Sequence, residues 1–415
     1  VLQLKKVVFS IFLFYLIATA LFFVYLNITP DYLTCYKSDK CISIKTPVFV
    51  DVSSVNNKVL KTTKNNLLFR TSTFYLNNNS NSLICELRIG FIPLKVLKIS
   101  IIEQKNLIVM GKFVGIKLVT NGILVIGYSY IYSENSKPKI PAKEAGVQIG
   151  DQIISANGQK LKDCDQLFKI INSSQGKTVT LLVKRGEYYK EVKIRPILSS
   201  EGVYKIGLWV RDGTSGIGTL TFVDKKRGTF GALGHGISDI DTNILLDLKE
   251  GQVYKAEVID IKKNEYQEIG EVIGKIDENA VVGNILINSQ FGIYGKLIDK
   301  DFLRYGVNYE VARVQDVHVG DAYIITEISN SIQKFKVKVE KILPLYRNST
   351  KALLIKVTDK RLIKITGGIV QGMSGSPIIQ DNKLVGAVTH VFLKEPDKGY
   401  GVFIENMINM TNKIR

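Results

Sequence analysis

Beyond residue 199 the chain consists almost entirely of short alternating runs of Val, Ile and Leu, at 253–259, 323–328, 335–343 and 352–357, separated by Gly, Asn and Asp. Neighbouring side chains on a strand point to opposite faces, so a period of two buries one face and wets the other. Regular short strands with turn residues between them predict barrels rather than a parallel sheet crossed by helices. Residues 404–415 are expected to close the chain with a short helix. At 415 residues, with 45% apolar and 23% charged residues, the chain is globular and long enough for two or three domains.

One loop in this β-rich half carries chemistry: Gly367-Gly368-Ile369-Val370-Gln371-Gly372-Met373-Ser374-Gly375-Ser376-Pro377. It contains Gly-x-Ser-Gly-x-Pro, the residue types that a trypsin-like serine peptidase places around its nucleophile. A sharp turn at Gly372 lets the amides of Gly372 and Ser374 converge as an oxyanion hole, which stabilises the charge of a tetrahedral intermediate. The returning strand, 384–392, offers an edge at Thr389, His390 and Val391 on which a peptide substrate pairs by β-addition.

A serine nucleophile needs a base. The apolar strand Thr229-Phe230-Gly231-Ala232-Leu233-Gly234-His235-Gly236 ends on a histidine between two glycines, which makes His235 the expected base. His318 lies in a polar stretch without supporting geometry, and His390 suits the substrate edge better. A carboxylate orienting the histidine would complete the set, and Asp359, Asp239 and Asp241 all qualify by position.

Upstream, Val7 to Leu26 is a 20-residue run without charge, preceded by Lys5 and Lys6. It is long enough to span a bilayer and predicts a signal-anchor with a cytoplasmic N-terminus. A cleaved signal peptide is the competing reading, and either one exports the rest. Residues 28–110 read as a β-rich region without chemistry. Pro141-Ala142-Lys143-Glu144-Ala145-Gly146-Val147-Gln148-Ile149-Gly150-Asp151-Gln152-Ile153-Ile154-Ser155-Ala156-Asn157-Gly158 resembles the signature of PDZ domains. Its residues describe a short helix ended by Gly146, a Gly150-Asp151 turn and a strand closed by an Asn-Gly hairpin. Asp163 then caps a helix carrying Leu167. The resemblance implies a peptide groove between the strand edge Gly122, Ile123, Leu124 and Val125 and that helix.

The net charge of +18 is spread along the chain without a basic block or an aromatic RNA-binding signature, so no nucleic-acid partner is expected. Cys35, Cys41, Cys85 and Cys164 form no C-x-x-C pair, and with three histidines a zinc site is not expected. No metal and no cofactor are predicted.

Taken together, Leu220-Thr221-Phe222, Gly231 to His235, Thr366 to Ile379 and Gly386 to Phe392 closely resemble the stage IV sporulation protein B peptidases. That resemblance covers nearly the whole chain and places the catalytic histidine, aspartate and serine on His235, Asp359 and Ser374. It implies a mainly β protein: a transmembrane signal-anchor (1–27), a β-rich region (28–110), a PDZ domain (111–198) and a chymotrypsin-like double β-barrel peptidase (199–415). It further implies a membrane-tethered enzyme of the forespore that cuts its own N-terminal region and becomes soluble in the intermembrane space. Its protein substrate would be a membrane-bound regulator of the membrane-embedded protease that processes a sigma factor. Met373 stands where trypsin-like enzymes have Asp, so activation by a docking N-terminus is not expected. A rival reading of another class is a PDZ adaptor whose peptidase fold only binds.

Overall fold

The computed structural model describes residues 32–414 except 56–59, 77–81, 134–135, 266 and 344–347, together with scattered positions between 9 and 29. The expected anchor, Val7–Leu26, lies in part outside the described residues. Among the described residues, no helix is long and apolar enough to cross a membrane.

The region ahead of residue 106 is β-rich, as its short apolar runs imply. Tyr32–Tyr36, Ile92–Ile102, Ser82–Ile89 and Asp51–Ser54 form one sheet in that order, and Cys41–Pro47, Phe69–Tyr75 and Lys61–Asn65 form a second. Leu83, Cys85 and Leu87 alternate into a core shared with Leu97, Ile99 and Phe74.

Two long strands organise the remainder. Asn106–Tyr128 and Leu208–Asp224 run antiparallel from Tyr128↔Leu208 to Ile108↔Val223. On its other edge Asn106–Tyr128 changes partner as it goes. It pairs with Val307–Val311 near residue 108, with Leu248–Ile261 between 114 and 120, and with Gln152–Ala156 at 123–124. Residues 111–120, assigned to the PDZ domain by sequence, therefore pair with strands of the peptidase half. The changeover falls at Gly122, whose φ of +95° lets the strand bend where a side chain would meet the Ile153 carbonyl at 3.0 Å.

The PDZ features follow the sequence closely. Pro141–Glu144 is helical, Gly146 ends that turn at φ +91°, and Asn157-Gly158 joins Ala156 to Gln159 as a hairpin with both residues at positive φ. Asp163 caps the helix Cys164–Ser173 by accepting from the Gln166 amide at 2.8 Å. Leu167 and Ile171 point from this helix into a core with Val125, Ile153 and Val183.

The pairings close two rings of six antiparallel strands. In one, Asn106–Tyr128 is followed by Leu208–Asp224, Thr229–Ala232, Gly292–Leu297, Val272–Ser289 and Leu248–Ile261, which pairs back with Asn106–Tyr128. The other runs Gly320–Ile328, Ser331–Ile342, Leu353–Val357, Lys398–Phe403, Lys383–Val391 and Pro377–Gln380, which pairs back with Gly320–Ile328. Val307–Val311 joins the rings by pairing with both Asn106–Tyr128 and Lys383–Val391. An apolar core lies in each ring. One gathers Val114, Leu220, Phe230, Leu233 and Ile293, and another Ile324, Val337, Ile355, Met373 and Val388. Ile404–Thr411 is the expected C-terminal helix.

Candidate active site

The serine loop is held by threonines from a strand far away in sequence. The Thr219 amide donates to the Ser374 carbonyl at 3.1 Å and its hydroxyl to the Gly372 carbonyl at 2.8 Å. The Thr221 hydroxyl donates to the Gly375 carbonyl at 2.7 Å, and the Gly375 amide to Val388 at 2.7 Å. Among the described residues, the amides of Gly372 and Ser374 have no hydrogen-bond partner. Two unpaired donors on one turn, with Gly372 at φ +98°, are what an oxyanion hole requires before substrate arrives.

Gly375 joins this loop to the histidine strand. A side-chain carbon at 375 would meet the Leu233 amide nitrogen at 2.6 Å and also the Thr219 carbonyl. Leu233 and Gly234 both take positive φ, 70° and 71°, immediately before His235. A leucine in this region is strained and persists only where its surroundings hold it. Here it turns the end of Thr229–Ala232 so that His235 and Ser374 line one cleft of about 300 Å³ with Ile217, Gly216, Ile237, Gln371 and Gly372.

Half-buried His235 has its Nδ1 2.9 Å from the Gly236 carbonyl. Nδ1–H donates there, which leaves Nε2 as the acceptor, the tautomer a general base needs. Burial lowers its pKa, opposed by the Gly236 carbonyl, so the ring is neutral at neutral pH. Ser374 Oγ donates to the Thr389 carbonyl at 2.8 Å. Ser376, by contrast, is fully buried in the outgoing turn, with its hydroxyl unpartnered.

Asp359, the predicted third member, makes no hydrogen bond to His235 among the described residues. Asp359 caps the helix Lys360–Thr366, and its carboxylate accepts from the amides of Lys336 and Arg361 and from the Arg361 guanidinium. Arg361 above all, then the two amides, holds its pKa down to about 2. Asp239 and Asp241 are both bound to Arg211. Among the described residues, no carboxylate meets His235.

The strand nominated for the substrate leaves one edge unpaired beyond Val388. Pairing of Lys383–Val391 with Pro377–Gln380 stops at Ala387, and Thr389, His390 and Val391 continue past it beside Ser374. The PDZ strand leaves no such edge: Ile123, Leu124 and Val125 are buried, and the strand is paired on both sides, with Gln152–Ile153 and with Val210–Arg211. Residues 208–211, arriving from beyond the expected domain border, cover the edge that a peptide would have used. Leu167 instead helps to line an apolar pocket of about 350 Å³ with Phe168, Ile171, Tyr132, Trp209 and Val210. Thr219 and Thr221 escaped sequence reading. Their signal is two hydroxyls on the inward-facing part of an apolar strand, where each needs a partner.

Residues 202–408 match the family model described as SpoIVB peptidase S55, and residues 132–185 match a PDZ domain. A putative zinc metalloprotease of Clostridium perfringens is 28% identical over 110 residues, covering 25% of this chain and 33% of that protein. A probable CtpA-like serine protease of Staphylococcus haemolyticus is 39% identical over 13% of this chain and 12% of its own length. For a probable periplasmic serine endoprotease DegP-like of Bartonella henselae the identity is 45%, over 14% and 12%. The chain thus spans one third or less of the length of these relatives. The PDZ domain structure of an SdrC-like protein from Listeria innocua is 27% identical, covering 22% of this chain and 93% of that one, with a TM-score of 0.18. Together with the serine and histidine brought to one cleft, the family match makes the chain a member of the SpoIVB peptidase S55 family of serine peptidases, with a PDZ domain ahead of the matched region.

Proposed function

We propose that this protein is a serine endopeptidase in which Ser374 is the nucleophile and His235 the general base. The observation that carries this is the shared cleft of Ser374 and His235 beside the unpaired amides of Gly372 and Ser374. A peptide pairing with Thr389–Val391 competes for the Thr389 carbonyl and frees the Ser374 hydroxyl to turn toward His235 Nε2. His235 takes the proton as Oγ attacks the scissile carbonyl, and the two amides receive the oxyanion. The imidazolium then protonates the leaving amine, and water repeats the sequence on the acyl-enzyme. The cores on either side of the cleft support a two-lobed, chymotrypsin-like arrangement.

The resemblance to the stage IV sporulation protein B peptidases supports a finer reading. In it the enzyme is exported on an N-terminal anchor, cleaves its own N-terminal region, and then cleaves a membrane-bound regulator of an intramembrane protease. Incubating the exported part with and without Ser374→Ala, then sequencing the N-termini of all fragments, tests both levels. Fragments absent from the Ser374→Ala sample support the enzyme. An intact chain and an intact regulator in both samples favour a PDZ adaptor.

A further inference from the structure

Resting on that reading, we propose that the cleft beside Ser374 is the subsite for the leaving side of the peptide. Ser215 and Ile217 supply a second pairing edge there, and Ile217 with Ile237 selects an apolar side chain just after the scissile bond. The sequence nominates only Thr389, His390 and Val391 for the substrate, and none of the three lines this cleft. Its walls are His235, Gly372 and Ser374 on one side and Thr214 to Ile217 with Ile237 on the other. His235 hands its proton to the departing amine, so the chain that leaves passes on this side of the scissile bond.

The backbone of this wall is open to a further strand. Leu208–Asp224 pairs along one edge with Asn106–Tyr128, with no shift of register from Gly213 to Leu220. On the other edge, pairing with Thr229–Ala232 starts only at Leu220. Thr219 shows which way that second edge faces: its amide donates to the Ser374 carbonyl, and its carbonyl accepts from the Leu233 amide at 3.2 Å. Peptide groups in an antiparallel ladder alternate between the two edges. Ile217 and Ser215, the next alternate positions before Thr219, therefore turn their amides and carbonyls to the same side, toward the serine loop. Among the described residues, no strand pairs with them there.

The side chains set the chemistry. Half-buried Ile217 and Ile237 line the cleft, backed by buried Ile116 and Leu233. Ile217 abuts the oxyanion turn, since a side-chain carbon at Gly372 would sit 3.7 Å from it. Among the described residues, His235 is the one titratable side chain in the lining. A charged group entering here loses water without gaining a partner, whereas an aliphatic one gains by burial.

The test incubates the full chain with a mixed library of proteome-derived peptides and reads the new N-termini by mass spectrometry. Aliphatic residues should be enriched about tenfold over acidic and basic ones within the first two positions of those N-termini. One cleaved peptide is then made with Leu, Lys or Glu at the enriched position. Its kcat/KM values are compared as ratios, which do not depend on the active fraction of a sample. Ile217→Glu should move the Leu-to-Lys ratio about tenfold toward Lys, because the new carboxylate faces the cleft. Ile259→Glu, the same change at an exposed position of Leu248–Ile261 outside the cleft, should leave the ratio at the wild-type value. Ser215→Pro removes an amide from the open edge and should raise KM for the Leu peptide about fivefold. New N-termini without preference at their first two positions overturn the proposal, as does a wild-type ratio in Ile217→Glu. If Ile217→Glu is inactive, Ser215→Pro decides: a raised KM supports the proposal, and an unchanged KM overturns it. A wild type that neither cleaves the library nor reacts with a fluorophosphonate would count against the peptidase reading itself, a separate result.

Discussion

Two strand edges in this molecule carry the same sequence expectation, peptide binding by β-addition, and the fold treats them in opposite ways. Thr389–Val391 runs past its neighbour and stays open beside the nucleophile. Gly122–Val125 is sealed on both sides by Gln152–Ile153 and Val210–Arg211. Whether an edge is free is decided by partners distant in the chain, so local pattern predicts the strand and not its availability.

This contrast can be broken most forcefully at Val125. The residue is fully buried, so Val125→Asp places an unpaired carboxylate in the PDZ core and should cost about 3 kcal/mol or more. Thermal melting should show a folding defect, because the strand is structural. A stable variant that merely lost peptide binding would mean the edge opens in solution. The open edge, for its part, works only while Ser374 stays beside it. Gly375→Ala would force the loop away from Leu233 at φ +95°, and misplacement of about 1 Å costs on the order of 100-fold in rate. Steady-state turnover of a cleaved peptide checks this, and unchanged turnover would show that the loop tolerates a side chain there. A smaller effect is expected at the edge itself. Val391→Pro should raise KM about tenfold with kcat much less affected, since proline obstructs strand pairing. Equal losses in kcat and KM would point to damage at the catalytic centre instead.

Asp359 supplies the smallest effect. As a helix N-cap it should contribute about 1 kcal/mol, measured by denaturant titration of Asp359→Ala. Its folded pKa is depressed from the ordinary carboxylate value of 3.8 to about 2. The stability it adds is therefore present above about pH 4 and disappears as pH falls toward 2. Wild type and Asp359→Ala should converge in stability over that acid window, and a constant difference through it would argue against the Arg361 pairing.

The legible parts of the site are local. Gly372 to Pro377 and Leu233 to His235 advertise a tight turn and a strand end through their glycines, and the cleft brings them together. The PDZ helix and hairpin were equally readable, because Gly146, Asn157-Gly158 and Asp163 act within a few residues of themselves. The clamp on the serine loop was not, since Thr219 and Gly372 are 153 residues apart. Asp359 is ambiguous for a related reason. An Asp ending a strand before a helix looks like a catalytic carboxylate, and it looks equally like a helix cap until its partners are seen. Strand lengths of 23 and 17 residues, which carry one ladder through two functional bodies, depend on pairings that no periodicity discloses.

The central claim is that Ser374 is a nucleophile made reactive by His235. It is tested most directly by labelling the purified chain with a fluorophosphonate probe and mapping the adduct by mass spectrometry. The account predicts a single adduct on Ser374, lost in His235→Ala as fully as in Ser374→Ala, with the double variant no worse than either. It also predicts full labelling in Ser376→Ala. An adduct on Ser376, or labelling of Ser374 that survives His235→Ala at the wild-type rate, would contradict it.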